Sequence, residues 1–132
     1  MEQDGMQWQE LVEFCHAQGL LAQQLYVVFS EPTGGLGPIR ENLEHHLAHQ
    51  AKLEADGTMF AAGPLATDDE RDWLGAGMFV YRAQSLQAAR ALADADPMHQ
   101  SGARSYTIRP WLLNEGSTTV RVFYSGHRPV IS

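Results

Sequence analysis

The chain has 132 residues, 44% hydrophobic and 19% charged, the size and composition of one globular domain that can bury a core without disulfide or metal staples. No stretch approaches the roughly eighteen apolar residues of a membrane span, so no membrane partner is expected. Sixteen acidic residues against nine basic ones give a formal net charge of −7, and the basic residues are scattered from Arg40 to Arg128, so nucleic acid is not an expected partner either.

The opening Met1-Glu2-Gln3-Asp4 is acidic and polar, with no basic segment ahead of an apolar one, which argues against a secretory signal. A lone Cys15 cannot close an internal disulfide and suits a reducing cytoplasm. It reads as a small hydrophobe on a helix face.

Trp8, Leu11, Val12 and Cys15 recur at helical spacing and predict an amphipathic helix over 6–18, stopped by Gly19. Leu25-Tyr26-Val27-Val28-Phe29 is β-branched and aromatic and predicts a buried strand. Pro32 to Pro38, with Gly34, Gly35 and Gly37, breaks it and reads as a mobile lid or hinge. It has neither the Lys-Ser/Thr ending of a phosphate loop nor the spacing of a dinucleotide fingerprint. A helix is expected from Ile39 to Ala55, ended by Asp56-Gly57. A second strand follows over 58–63, closed by Pro64. The charged stretch 67–73 reads as a solvated hairpin loop, and 77–82 as a third strand. Ser85 caps a second core helix through Leu86, Ala89, Leu92 and Ala93. Residues 104–109 alternate polar and apolar as a fourth strand, and 118–124 predict a fifth.

Between residues 25 and 110 the order is β-α-β-β-α-β. That is the ferredoxin-like α+β pattern, with two helices on one face of an antiparallel sheet. The expected organisation is a single domain, 1–132, with a helical extension over 1–22, a core over 23–113 and a C-terminal extension over 114–132 that adds a strand. Tyr26, Val27, Val28 and Phe29 put apolar residues on both sheet faces, so both are expected to be buried. The chain's own helices are too few to cover both, which predicts a homodimer packed sheet on sheet.

At about 100° per residue, Ile39, Leu43, Leu47 and Leu53 share one side of the first core helix, and His46 falls between Ile39 and Leu53. His45 points away and His49 sits at the border. An inward histidine is compatible with an inert core imidazole, but its ring nitrogens still need partners. An acidic partner would fix its tautomer and leave the other nitrogen as a general base. Asp96, where the second core helix must stop, is the candidate. Asp-Pro also suits an N-cap with Pro97 at the first helical position, and the two roles are compatible. Metal binding is the competing reading: His45 and His49 are spaced i, i+4 and His46 and His49 i, i+3, with Glu41 and Glu44 nearby. No His-Glu-x-x-His motif and no third ligand is signalled, so no metal is assigned. Ser30, at the end of the first strand, is a candidate for lining a pocket. Tyr106 and Trp111 read as core or interface aromatics.

In this order, the opening strand, Arg40 upstream of His46-Leu47, Ala62-Gly63-Pro64, Ala93-Asp94-Ala95-Asp96-Pro97, Gly102 and Arg109-Pro110-Trp111 resemble the YciI-like (YCII-related) family over about Leu25 to Trp111. The chain differs at Met98, where an aromatic often follows Asp-Pro, and it adds an N-terminal helix and a tail after Asn114. The resemblance implies a dimeric α/β barrel with a His–Asp pair in a pocket, here His46 and Asp96. It also implies proton abstraction and return on a small cyclic or phenolic compound, because one branch is associated with dehydrochlorination of a chlorinated hydroxyquinol and the fold is shared with muconolactone isomerases. The resulting expectation is a cofactor-free isomerase or lyase. His46 is its base, Asp96 orients it, and Arg40 and Ser30 hold the substrate. The alternatives are a non-catalytic module that binds a small ligand, and a metal-dependent enzyme built on the histidine-rich helix.

Overall fold

The computed structural model describes residues 4–126 and 128–132. Met1–Gln3, on which part of the secretory-signal expectation rests, and His127 in the tail lie outside the described residues. In chain order the elements are α1 (Trp8–Ala17), β1 (Gln23–Pro32), α2 (Leu36–Ala55), β2 (Met59–Pro64), β3 (Gly77–Tyr81), α3 (Leu86–Asp94), α4 (Pro97–Gln100), β4 (Arg104–Leu113), β5 (Val120–Val122) and β6 (Pro129–Ile131). They form two compact units, one of Met1–Gln23 with Leu113–Ser132 and one of Gln24–Leu112.

In the first unit, α1 buries Val12 and Cys15, and Gly19 takes a positive φ of 81° just beyond its end, as a helix-stopping glycine does. The Asn114 side-chain amide donates to Cys15 Sγ at 3.4 Å. The expected strand over 118–124 is shorter than its apolar run. It pairs antiparallel with β6, a strand the sequence reading did not anticipate, in the register Val120↔Ile131. Three-residue strands, one opening on proline, leave too little periodicity to read.

The second unit holds a mixed α+β core. Its sheet has the strand order β2-β3-β1-β4, with β1/β3 and β2/β3 both antiparallel. Cross-strand partners Tyr26↔Tyr81 and Val28↔Phe79 point the same way. With Met59 and Ile108 they pack against Leu53 of α2 and Ala89 and Ala93 of α3. Both long helices of the core therefore cover one sheet face. On the other, Val27 and Val80 are buried, but Phe29, which pairs with Met78, is 40% exposed. The chain's own elements therefore leave this face open at Phe29.

Two local differences bear on the site. Helix α2 begins at Leu36 rather than Ile39, so Gly37 and Pro38 lie in its first turn and not in a lid. Gly35, with φ 73°, makes the turn, and a proline is tolerated there because the first helical N–H groups have no intrahelical acceptor. The inward stripe of α2 is Ile39, His46 and Leu53, all buried, whereas Leu43 and Leu47 are exposed. The stripe is centred some 60° to 100° from those leucines on the helical wheel.

Candidate active site

His46 comes from the middle of α2, and Asp96 from the two-residue break between α3 and α4. Ser85 starts α3 as expected, its hydroxyl accepting from the Ala88 amide at 3.1 Å. The chain then restarts at Asp96, whose Oδ1 accepts from the Met98 amide at 2.9 Å with Pro97 in the first turn. The cap fixes the carboxylate, and α2 delivers the imidazole to it. His46 Nδ1 lies 2.8 Å from Oδ1 and 2.9 Å from Oδ2 of Asp96, and both residues are buried. Burial raises the Asp96 pKa, but hydrogen bonding to His46 and the Met98 amide, with the electrostatic influence of the His46 and His99 rings, outweighs it and holds the carboxyl below the usual aspartate value. An ionised carboxylate only accepts, so His46 carries its proton on Nδ1 and Nε2 is left as the basic nitrogen.

His46 also lines a pocket of about 200 Å³, walled by Phe79, Trp73, Leu43, Leu47, Gly77 and Arg104, among others. The Phe79 ring is 5.6 Å from the imidazole, centre to centre. Trp73 is set by the hairpin between β2 and β3, where its indole N–H donates to the Ala76 carbonyl at 2.8 Å. The charged stretch before it is the solvated loop expected, folded about Asp69, which accepts from Thr67 at 2.6 Å and from the Arg71 amide at 3.0 Å.

Ser30 is fully buried, and its hydroxyl lies 2.7 Å from His99 Nε2. His99 Nδ1 lies 2.6 Å from the Ala93 carbonyl, which can only accept, so Nδ1 carries the proton and Ser30 donates to Nε2. Burial is the main cause of a lowered His99 pKa. This neutral imidazole braces β1 against α4, and its backbone amide donates to the Asp96 carbonyl at 2.9 Å. Ser30 thus contacts His99, three residues on from Asp96, and is not among the pocket-lining residues. Arg40 is exposed on α2 and does not line the pocket either. The arginine found there is Arg104, which sequence reasoning passed over along with His99, Phe79 and Trp73. Its signal was legible: Arg104, Tyr106 and Ile108 share one parity of β4, the apolar one.

His45 is exposed and His49 half-buried. Among the described residues no group of three or more His, Cys, Asp or Glu side chains is placed to hold a metal ion. No helix among them is long and apolar enough to cross a membrane.

Residues 25–112 match the YCII-related domain family. The proteins named Protein YciI of Escherichia coli O6:H1 and of Shigella flexneri are each 30% identical to the chain over 95 residues, a match covering 66% of this chain and 95% of theirs. Among solved structures, the 5-chloro-2-hydroxyhydroquinone dehydrochlorinase of Burkholderia phenoliruptrix AC1100, in complex with 2,5-dihydroxybenzoquinone, superposes with a TM-score of 0.51. The two share 19% identity, and the match covers 66% of this chain and 92% of that one. At that identity the likeness is one of fold.

Proposed function

The chain belongs to the YCII-related domain family, and from that premise we propose that it is a small-molecule enzyme in which His46 and Asp96 carry out cofactor-free acid–base chemistry. The observation that carries the reading is the buried His46–Asp96 pair at 2.8 Å, with the same histidine lining a pocket. His46 Nε2 takes a proton from a carbon acid bound in the pocket and returns it, or lets a leaving group depart instead. Asp96 holds the ring in the Nδ1–H tautomer and stabilises the imidazolium that forms. Isomerisation and dehydrochlorination of a small cyclic or phenolic compound both fit this chemistry, and a fold neighbour that is a dehydrochlorinase supports it. Ser30 contributes through His99, as a positioning residue.

The core reads as ferredoxin-like, from its strand order and from two helices on one face. It also reads as half of a homodimer, because Phe29, opposite Met78 on the face away from those helices, is 40% exposed. Sedimentation of wild type and Phe29→Lys tests this: the wild type is expected as a dimer and the variant as a monomer. A reducing, cytoplasmic setting suits the lone Cys15.

The functional test is turnover of chlorinated hydroquinols, lactones and phenols by wild type, His46→Asn and Asp96→Asn, with folding checked by circular dichroism. The expected result is turnover by the wild type and a loss of at least about a hundredfold in each folded variant. Reversible binding with no product would favour a ligand-binding module instead. Unchanged kinetics in either variant would remove that residue from the mechanism.

A further inference from the structure

Arg104 is a buried cation that the acid–base pair does not use. It is 5% exposed, and its Nε donates to the Gly75 carbonyl at 2.8 Å. Its Nη1 is buried with no hydrogen-bond partner among the described residues. No described carboxylate lies within ion-pair distance of the guanidinium, the described pairs being His46–Asp96 and Arg71–Asp69. The Asp96 charge favours the guanidinium at longer range, but that carboxylate is bonded to His46, and a buried guanidinium with an unbonded nitrogen is costly unless something compensates it. The unpartnered nitrogen stands at Gly77, where an added Cβ would lie 3.6 Å from Nη1, and Gly77 and Arg104 both line the pocket of His46. The guanidinium carbon also lies 6.0 Å from the centre of the Phe79 ring.

We propose that this pocket takes a small planar organic anion, and that Arg104 Nη1 is the donor to its oxyanion. The proposal rests on reading the pocket as the substrate site. Phe79 and Trp73 supply flat apolar walls for a ring. About 200 Å³ lies below the roughly 300–1,000 Å³ usual for drug-sized ligands, which limits the guest to about one substituted ring. A net charge of −7 repels anions at long range, so selection for one falls to a local, desolvated donor. Arginine is suited to the task, because it stays charged when buried and presents a planar fork of N–H groups to a carboxylate or phenolate.

The test is calorimetric titration of wild type, Arg104→Gln and His46→Asn with benzoate and with its neutral counterpart, benzamide. In the wild type, benzoate is expected to bind at least about tenfold more tightly than benzamide. In Arg104→Gln the two affinities become similar. Equal affinities in the wild type, a preference that survives in Arg104→Gln, or no benzoate binding by wild type at millimolar concentration would each overturn the proposal. If Arg104→Gln does not fold, Arg104→Lys replaces it. That variant must lose more affinity for benzoate than for benzamide, and equal losses overturn the proposal. Benzoate preference retained in folded His46→Asn, with no turnover of any compound by wild type, counts for Arg104 and against the acid–base reading. Turnover of an anionic compound whose KM is the same in wild type and Arg104→Gln counts for the acid–base reading and against Arg104.

Discussion

His46 Nδ1 lies 2.8 Å and 2.9 Å from the two carboxylate oxygens of Asp96. Oδ1 of the same carboxylate also accepts from the Met98 amide at 2.9 Å. One side chain therefore starts a helix and orients an imidazole.

The two roles separate by substitution. Asp96→Asn keeps an oxygen for the Met98 amide and ranks with aspartate as an N-cap. Asp96→Ala loses the cap as well as the partner of a buried imidazole. Chemical denaturation should find the alanine variant less stable than the asparagine variant by about 1 kcal/mol. Both should lack turnover. Equal stabilities would mean that the cap contributes nothing.

How far such a site is legible in a sequence depends on whether local periodicity carries it. His46 could be placed because Ile39, His46 and Leu53 repeat every seven residues on one helix. Asp96 could be placed because Asp-Pro after an alanine-rich helix has a specific meaning at a helix start. Arg104 had a signal in strand parity, but a charged residue at a strand end reads by default as solvated. Trp73 and His99 had none, because a loop and a single helical turn have no period. Arg40 is on the right helix but exposed, since the residue beside a buried Ile39 has turned about 100° away from the core.

The buried acid–base groups set the response to acid. His99 has a folded pKa below its ordinary 6.5, mainly through burial, so the unfolded chain binds its proton first. Its contribution is complete above about pH 6.5 and is lost as pH falls from there through the lowered value. Asp96 is also lowered, from 3.8, so its contribution is complete above that value and is lost as pH falls below it. The denaturation midpoint should be flat from about pH 8 to 7, decline below about 6.5, and decline further below about 3.8. His99→Gln should be less stable than wild type at neutral pH but show a shallower first limb. An unchanged limb would assign it to other histidines.

Tyr81 is fully buried, and its hydroxyl has no hydrogen-bond partner among the described residues. Burial and the Asp96 charge push its pKa well above the usual tyrosine value, so it is a neutral phenol. A satisfied buried hydroxyl costs about 1 kcal/mol to remove, whereas an unsatisfied one can be removed at no cost. Tyr81→Phe should therefore be as stable as wild type or more so, by up to about 1 kcal/mol. A clear loss in urea denaturation would show that the hydroxyl is bonded in solution.

Gly77 joins packing to the pocket. A glycine-to-alanine change in a compatible backbone usually stabilises by about 0.4–1 kcal/mol through the unfolded state. Here the new Cβ would sit 3.1 Å from Phe79 Cε1 and 3.6 Å from Arg104 Nη1. Phe79 is 2% exposed and has little room to move, packed against the tilted ring of His46 on one side and near His99 on the other. The crowding term should reverse the sign and cost about 1–3 kcal/mol. Because the displaced ring and guanidinium both line the pocket, the same variant should lose turnover without any change at His46 or Asp96. A Gly77→Ala protein more stable than wild type, with full turnover, would show that Phe79 and Arg104 can shift freely and that the pocket wall is soft.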